Sequence, residues 1–173
     1  MDTIAVVLEK LRITIEKKGI AVLRIAVGII FFWFGFLKFF GQLSAAEAIA
    51  SKTISWLTFD TLQPKVSMPI LAALECLIGI GILTKKYMEY VIPVLYFQMA
   101  GTLLPLVIFP HETWEIAPFV PTLEGQYILK NAVLIAAGIV LGAIAKGAKL
   151  IQDPEIAGKA KQIEEKKEAE SGN

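Results

Sequence analysis

The sequence predicts an all-α integral membrane protein, a four-helix bundle with both termini on the cytoplasmic side, an amphipathic N-terminal segment and a polar C-terminal tail. Three observations predict it. The 173-residue chain is 55% hydrophobic and only 19% charged, with a mean hydropathy of +0.63, an apolar balance unusual for a soluble domain. Four apolar stretches, at about residues 19–40, 67–84, 87–109 and 127–146, lie within or close to the roughly 17–25 residues a helix needs to cross hydrocarbon. Lysine and arginine gather beside alternate ends of these stretches, which sets their orientation.

In chain order, residues 1–18 come first, with Ile4, Val7, Leu8, Leu11 and Ile15 at helical spacing and Lys10, Arg12, Lys17 and Lys18 among them. That pattern suits an amphipathic helix on the cytoplasmic membrane face, and equally a plain extension of the first span. Span one is expected to be retained. Its apolar run exceeds a signal core of about 7–15 residues, and Lys38 interrupts the region before the small residues Ser44, Ala45, Ala46 and Ala48. Span two starts beside Pro64 and Pro69, residues suited to a helix's first turn, and stops at Lys85-Lys86. Tyr87 already opens the next apolar run, so spans two and three should form a tight antiparallel hairpin.

The loops at 41–66 and 110–126 fall on the opposite side. In the first, Lys52 and Lys65 are offset by Glu47 and Asp60, and the second has neither lysine nor arginine. Lys146 and Lys149 follow span four on the cytoplasmic side. The tail from Asp153 to Asn173 alternates lysine, glutamate and alanine with almost no large apolar residue, so it is expected to be a solvated helix or disorder. The organisation is thus a segment 1–18, a membrane domain 19–146 and a charged tail 147–173.

Counting excludes several chemistries. With one cysteine, Cys76, there is no intrachain disulfide, CxxC pair or cysteine-built metal site, and with one histidine, His111, there is no multi-histidine centre. No intrinsic cofactor or metal is expected, and electron transfer would need a carrier from outside the chain. A formal charge of +1 provides no field for nucleic acid. His111, in a loop with Glu112, Trp114 and Glu115, reads as a solvated residue.

Ionisable groups inside spans are costly and mark candidate sites. Glu75 lies about eight residues, or roughly 12 Å, into span two. Lys38 and Lys130 fall in the same half of the bundle, where both ammonium groups can reach that carboxylate. Gln98 and Thr102 on span three, and Glu124, Gln126 and Asn131 around the start of span four, complete the candidate ligand-binding or buried polar cluster. Taken singly, such groups also snorkel or knit helices together. The aromatic run from Phe31 to Phe40 offers surfaces for a flat ring such as a quinone headgroup, although lipid contact and core packing also account for it. Gly138 and Gly142, a GxxxG pair, together with Gly79 and Gly81, favour close helix contact within the chain or between chains.

Taken together, LRIAVGIIFFWFGFLKFF, LECLIGIGIL, QMAGTLLPLVIFP and PTLEGQYILKNAVLIAAG, spread over most of residues 20–145, resemble the DoxX-like family of small four-helix membrane proteins. The resemblance implies a prokaryotic cytoplasmic membrane and makes Lys38, Glu75, Gln98, Glu124, Gln126 and Lys130 motif positions. It also implies redox or oxidative-stress physiology, since the family includes a membrane subunit of a thiosulfate:quinone oxidoreductase. The expected function is a ligand-binding or accessory module for a quinone, lipid or small anion. An oxidoreductase subunit working with quinone and a soluble redox partner is the alternative, homo-oligomerisation is compatible with either, and a small transporter is less favoured because no inverted repeat is visible.

Overall fold

A computed structural model describes residues 3–41, 47–148 and 154–171. It is mostly helical: α1 (Thr3–Leu37), α2 (Glu47–Leu57), α3 (Pro64–Thr84), α4 (Met88–Leu103), α5 (Pro105–Ile108), α6 (Pro110–Thr113), β1 (Trp114–Ile116), β2 (Val120–Pro121), α7 (Leu123–Ala145) and α8 (Pro154–Ser171). Four segments are long and apolar enough to cross a membrane: Lys18–Leu37 of α1, α3, Met88–Ile108 across α4 and α5, and α7. These match the four stretches read from hydropathy. The N-terminal segment is helically continuous with the first span, while Ser44, Ala45, Ala46 and Lys149, and the side chains of Lys10, Leu11, Arg12, Ile15 and Lys17, lie outside the described residues.

The long helices pack in a ring in which α1 meets α3, α3 meets α4, α4 meets α7 and α7 returns to α1. Val27 and Phe31 of α1, Ile78 and Ile82 of α3, Ile92, Leu95 and Met99 of α4, and Ala137 and Leu141 of α7 form the buried centre. The perimeter is apolar too: Ile29, Trp33, Phe34, Ile70, Leu77, Phe97, Val107 and Val133 are all exposed. A surface of that kind needs lipid, not water, around it. One end of the ring carries Lys18, Lys85, Lys86 and Lys146, and α2 with the β1–β2 hairpin covers the other.

The α1–α3 seam is the closest because it is built on glycine. A Cβ added at Gly79 would lie 2.5 Å from the Phe32 backbone nitrogen and 2.8 Å from the Gly28 carbonyl oxygen. One at Gly35 would lie 2.8 Å from the Cys76 nitrogen and from Glu75 Cβ. Without side chains the backbones touch directly, a contact available to helices in lipid through dispersion. The α4–α7 seam uses Gly138 and Gly142 in a looser way, against Leu95 and Ile92 side chains.

Backbone carbonyls that lose their helical partners are met individually. At the end of α3, Arg24 of α1 donates through Nη1 to the Ile82 carbonyl at 2.9 Å and to that of Leu83, capping the negative end of the helix dipole from a neighbouring helix. Pro105 cannot donate to Gly101, and the Leu104 amide serves that carbonyl at 3.3 Å. Pro110 cannot donate to Leu106, whose carbonyl receives the Trp114 indole N–H at 3.0 Å. The hairpin beyond is pinned by Thr113, fully buried, whose carbonyl accepts from the Thr122 amide at 3.0 Å while Gly125 leaves room for it.

The seam makes a contrast that can be measured. Gly79→Ala is predicted to cost about 1–3 kcal/mol, the usual penalty for overpacking a filled contact, whereas Gly101→Ala, where a Cβ meets nothing within 4 Å, should cost nothing. Detergent-denaturant unfolding of the two variants in micelles separates the cases; equal stabilities would contradict a backbone-to-backbone α1–α3 seam.

Candidate functional site

The seam positions a polar set. Gly35 brings α1 onto α3 at the level of Ala72, Glu75 and Cys76. The helix then ends at Leu37 in a turn closed by the Lys38 amide on the Gly35 carbonyl at 3.1 Å. The Lys38 side chain therefore starts about one turn from Glu75 and folds onto it: Nζ donates to Glu75 Oε2 at 2.6 Å. From α4, Gln98 Nε2 donates to the other carboxylate oxygen, Oε1, at 2.9 Å. All three residues are buried, with exposures of 9% for Lys38, 7% for Glu75 and 8% for Gln98.

Each carboxylate oxygen has one donor, and one of the two bonds joins opposite charges, the strong kind of hydrogen bond. That geometry is what makes the burial tolerable, since removing two charges from water costs several kcal/mol per ion before pairing offsets it. Two buried oxygens nearby in the fold have no partner among the described residues: Gln98 Oε1, on the same amide that holds Glu75, and Ser67 Oγ, two turns earlier on α3. A buried unpartnered acceptor calls for a donor from outside the chain.

Lys38 also faces outward. It lines an open cleft of about 560 Å³ between the end of α1, α2 and the start of α3, with Phe39, Glu47, Ala48, Ser51, Pro64, Lys65, Met68 and Pro69 among its walls. Pro69, inside α3, brings no amide N–H to this wall. The α2 helix that closes one side is tethered across the end of the bundle: Lys52 pairs with Glu112 and lies 4.6 Å over the Phe109 ring. Lys38 is thus the one member of the buried trio that lines this cleft.

The remaining expected site residues are not gathered here. Lys130 is exposed and lies over the Tyr127 ring at 5.4 Å, so Glu75 is shared by Lys38 and Gln98 and not by two lysines. The reason is helical phase: α7 buries Gly125, Ile128, Gly138 and Leu141, and Lys130 is two residues, about 200°, round from Ile128. Gln126 and Glu124 are exposed as well, and Asn131 is half-buried. Thr102 bonds back to the Gln98 carbonyl at 3.0 Å, bracing that helix turn without reaching the carboxylate. His111 is exposed, and among the described residues no group of three histidine, cysteine or acidic side chains could hold a metal. Cys76, half-buried beside Glu75 in sequence, points its thiol at the Phe32 carbonyl at 3.6 Å.

Sequence reasoning missed α2, which supplies one wall of the cleft, and the role of Gly35. The signal for α2 was present in Ile49, Thr53 and Trp56 at helical spacing, but its charges resembled a loop. No protein-family model, no curated protein and no solved structure matches this chain.

Removing one partner of the trio strands the other charge. Lys38→Met is predicted to lower stability by roughly 3–5 kcal/mol, and adding Glu75→Gln to it should recover most of that loss. Unfolding of the two single variants and the double variant tests the coupling; additive losses would mean that the ion pair contributes nothing as a pair.

Proposed function

We propose that this chain is a four-span module of a prokaryotic cytoplasmic membrane that binds a small amphipathic ligand of the quinone class in the Lys38 cleft and serves a redox or oxidative-stress partner. The observation that carries this reading is the placement of Lys38, bonded to buried Glu75 on one side and lining on the other a cleft whose walls include Phe39, Pro64, Met68 and Pro69. A quinone carbonyl accepts from an ammonium, and its flat ring suits the Phe39, Met68, Pro64 and Pro69 surfaces.

When bound, a quinone supplies the electron-accepting chemistry that the chain's own residues lack. What the chain contributes is a hydrogen-bond donor at Lys38 Nζ, a carboxylate behind it and an amide that orients that carboxylate. This agrees with the DoxX-like resemblance, whose residues Lys38, Glu75 and Gln98 form the trio. An accessory role is favoured over an enzyme in its own right, and the reading leaves the partner that reduces or oxidises the ligand outside this chain.

The reading includes an orientation: the end bearing Lys18, Lys85, Lys86 and Lys146 faces the cytoplasm, and α2 faces away. In a Cys76→Ala background, a cysteine at Lys86 should react with a membrane-impermeant thiol reagent only in inverted vesicles, and one at Glu115 only in right-side-out cells. The opposite pattern overturns the orientation.

Ligand binding has its own test. A short-chain ubiquinone titrated into the purified protein is expected to bind about tenfold more weakly to Lys38→Met, the loss of one charge-assisted hydrogen bond. It should bind negligibly to Ala48→Trp, which fills the cleft from an exposed position and leaves the trio intact. Unchanged affinity in Ala48→Trp would place the ligand elsewhere or remove it.

A further inference from the structure

A second site lies at the opposite end of the bundle. Between α4 and α7 runs a groove of about 330 Å³ lined by Met88, Glu89, Ile92, Pro93, Tyr96, Gly142, Ala143 and Lys146. Its floor exists because Gly142 has no side chain: a Cβ there would lie 3.0 Å from Ile92 and 3.6 Å from the Tyr96 hydroxyl. The apolar part is therefore narrow and closed by packing beneath, and it opens sideways onto the perimeter.

The rim is what identifies the occupant. Glu89 and Lys146, one on each helix, are exposed and opposite in charge, yet they do not pair with each other, and among the described residues neither has an ion-pair partner. Opposite charges that line one groove without bridging it leave a gap shaped for a group carrying both signs in reverse order. Pro93, on the same wall, adds apolar surface and no amide N–H. One side of the rim thus offers a carboxylate for a protonated amine, and the other a lysine for a phosphate.

We propose that this groove binds a phospholipid with a primary-amine zwitterionic headgroup, of the phosphatidylethanolamine class. Its phosphate faces Lys146, its ammonium donates to the Glu89 carboxylate, and the start of one acyl chain lies along Ile92, Tyr96 and Gly142. The inference rests on the membrane reading but not on the Lys38 cleft, which lies at the other end of the bundle. A quaternary ammonium has no N–H to donate, so the groove discriminates by hydrogen bonding and not by charge alone. An anionic headgroup would satisfy Lys146 and leave Glu89 facing a like charge.

The test uses the full-length protein in mixed micelles, with native mass spectrometry reading retained lipid. Phosphatidylethanolamine is expected to be retained about tenfold more strongly than phosphatidylcholine or phosphatidylglycerol of the same chain length, as one charge-assisted hydrogen bond allows. Glu89→Gln should erase the preference over phosphatidylcholine, and Lys146→Gln should weaken retention of both zwitterionic lipids. Gly142→Leu should abolish retention by filling the floor. Because Glu89 and Lys146 are exposed, their variants should fold, and ubiquinone binding at the Lys38 cleft should persist in both. Equal retention of the three lipids, or a preference that survives Glu89→Gln, overturns the proposal.

Discussion

A carboxylate in the middle of an apolar helix has a stem too short to reach water, so everything around Glu75 must be arranged to meet it. The structure does this with a contact between backbones. Gly28 and Gly35 on α1 and Gly79 on α3 let the two helices touch without side chains between them, and that closeness, three residues before Lys38, lets a lysine fold back at 2.6 Å instead of extending away from the bundle. Were the helices separated by a normal side-chain layer, with axes about 8–10 Å apart, the ammonium would have to stretch across the gap and expose itself. Glycine in the seam and charge in the core are one design.

The same logic of supplying what lipid cannot recurs along the backbone. Each proline inside or between helices frees a carbonyl, and the fold answers by position. The Gly101 carbonyl takes the Leu104 amide, the Leu106 carbonyl takes the Trp114 indole, and the last carbonyls of α3 take Arg24. Pro69 and Pro93, each inside a spanning helix, line the cleft and the groove.

Much of this was legible in the sequence, and the boundary is instructive. The four long apolar helices followed from length and hydropathy, because a bilayer imposes a minimum run that few soluble segments imitate. Glu75, Lys38 and Gln98 stood out because polar groups are rare in such runs. What could not be read was azimuth. Lys130 was expected to reach Glu75 but sits on the wrong face of α7, and a nearly uniform apolar helix has too little amphipathic contrast to show which face is inward. Gly79 pointed to close helix contact without naming the partner helix, and Gly35 did not stand out, since a glycine's role depends on which backbone approaches it. The short pieces, α2 and the β1–β2 hairpin, were hidden for the opposite reason: their polar residues resemble loop, and their order comes from tertiary ties such as Lys52 to Glu112 and Thr122 to Thr113.

Stability alone is a weak reason for the trio. Buried ion pairs can often be exchanged for apolar side chains of similar volume without loss, and sometimes with gain, and the surrounding positions Ala72, Ile78 and Met99 show that this core accepts apolar residues readily. A trio kept for packing would also be expected to close on itself, with every donor and acceptor used. This one stays open at both ends: Lys38 lines a cleft, and Gln98 Oε1 is left with no partner among the described residues. An arrangement that is well bonded at its centre and unsatisfied at its edges suits a group held ready for something that arrives. The outward edge belongs to a lysine, whose flexible stem can move its charge between Glu75 and the cleft without disturbing the glycine seam beneath.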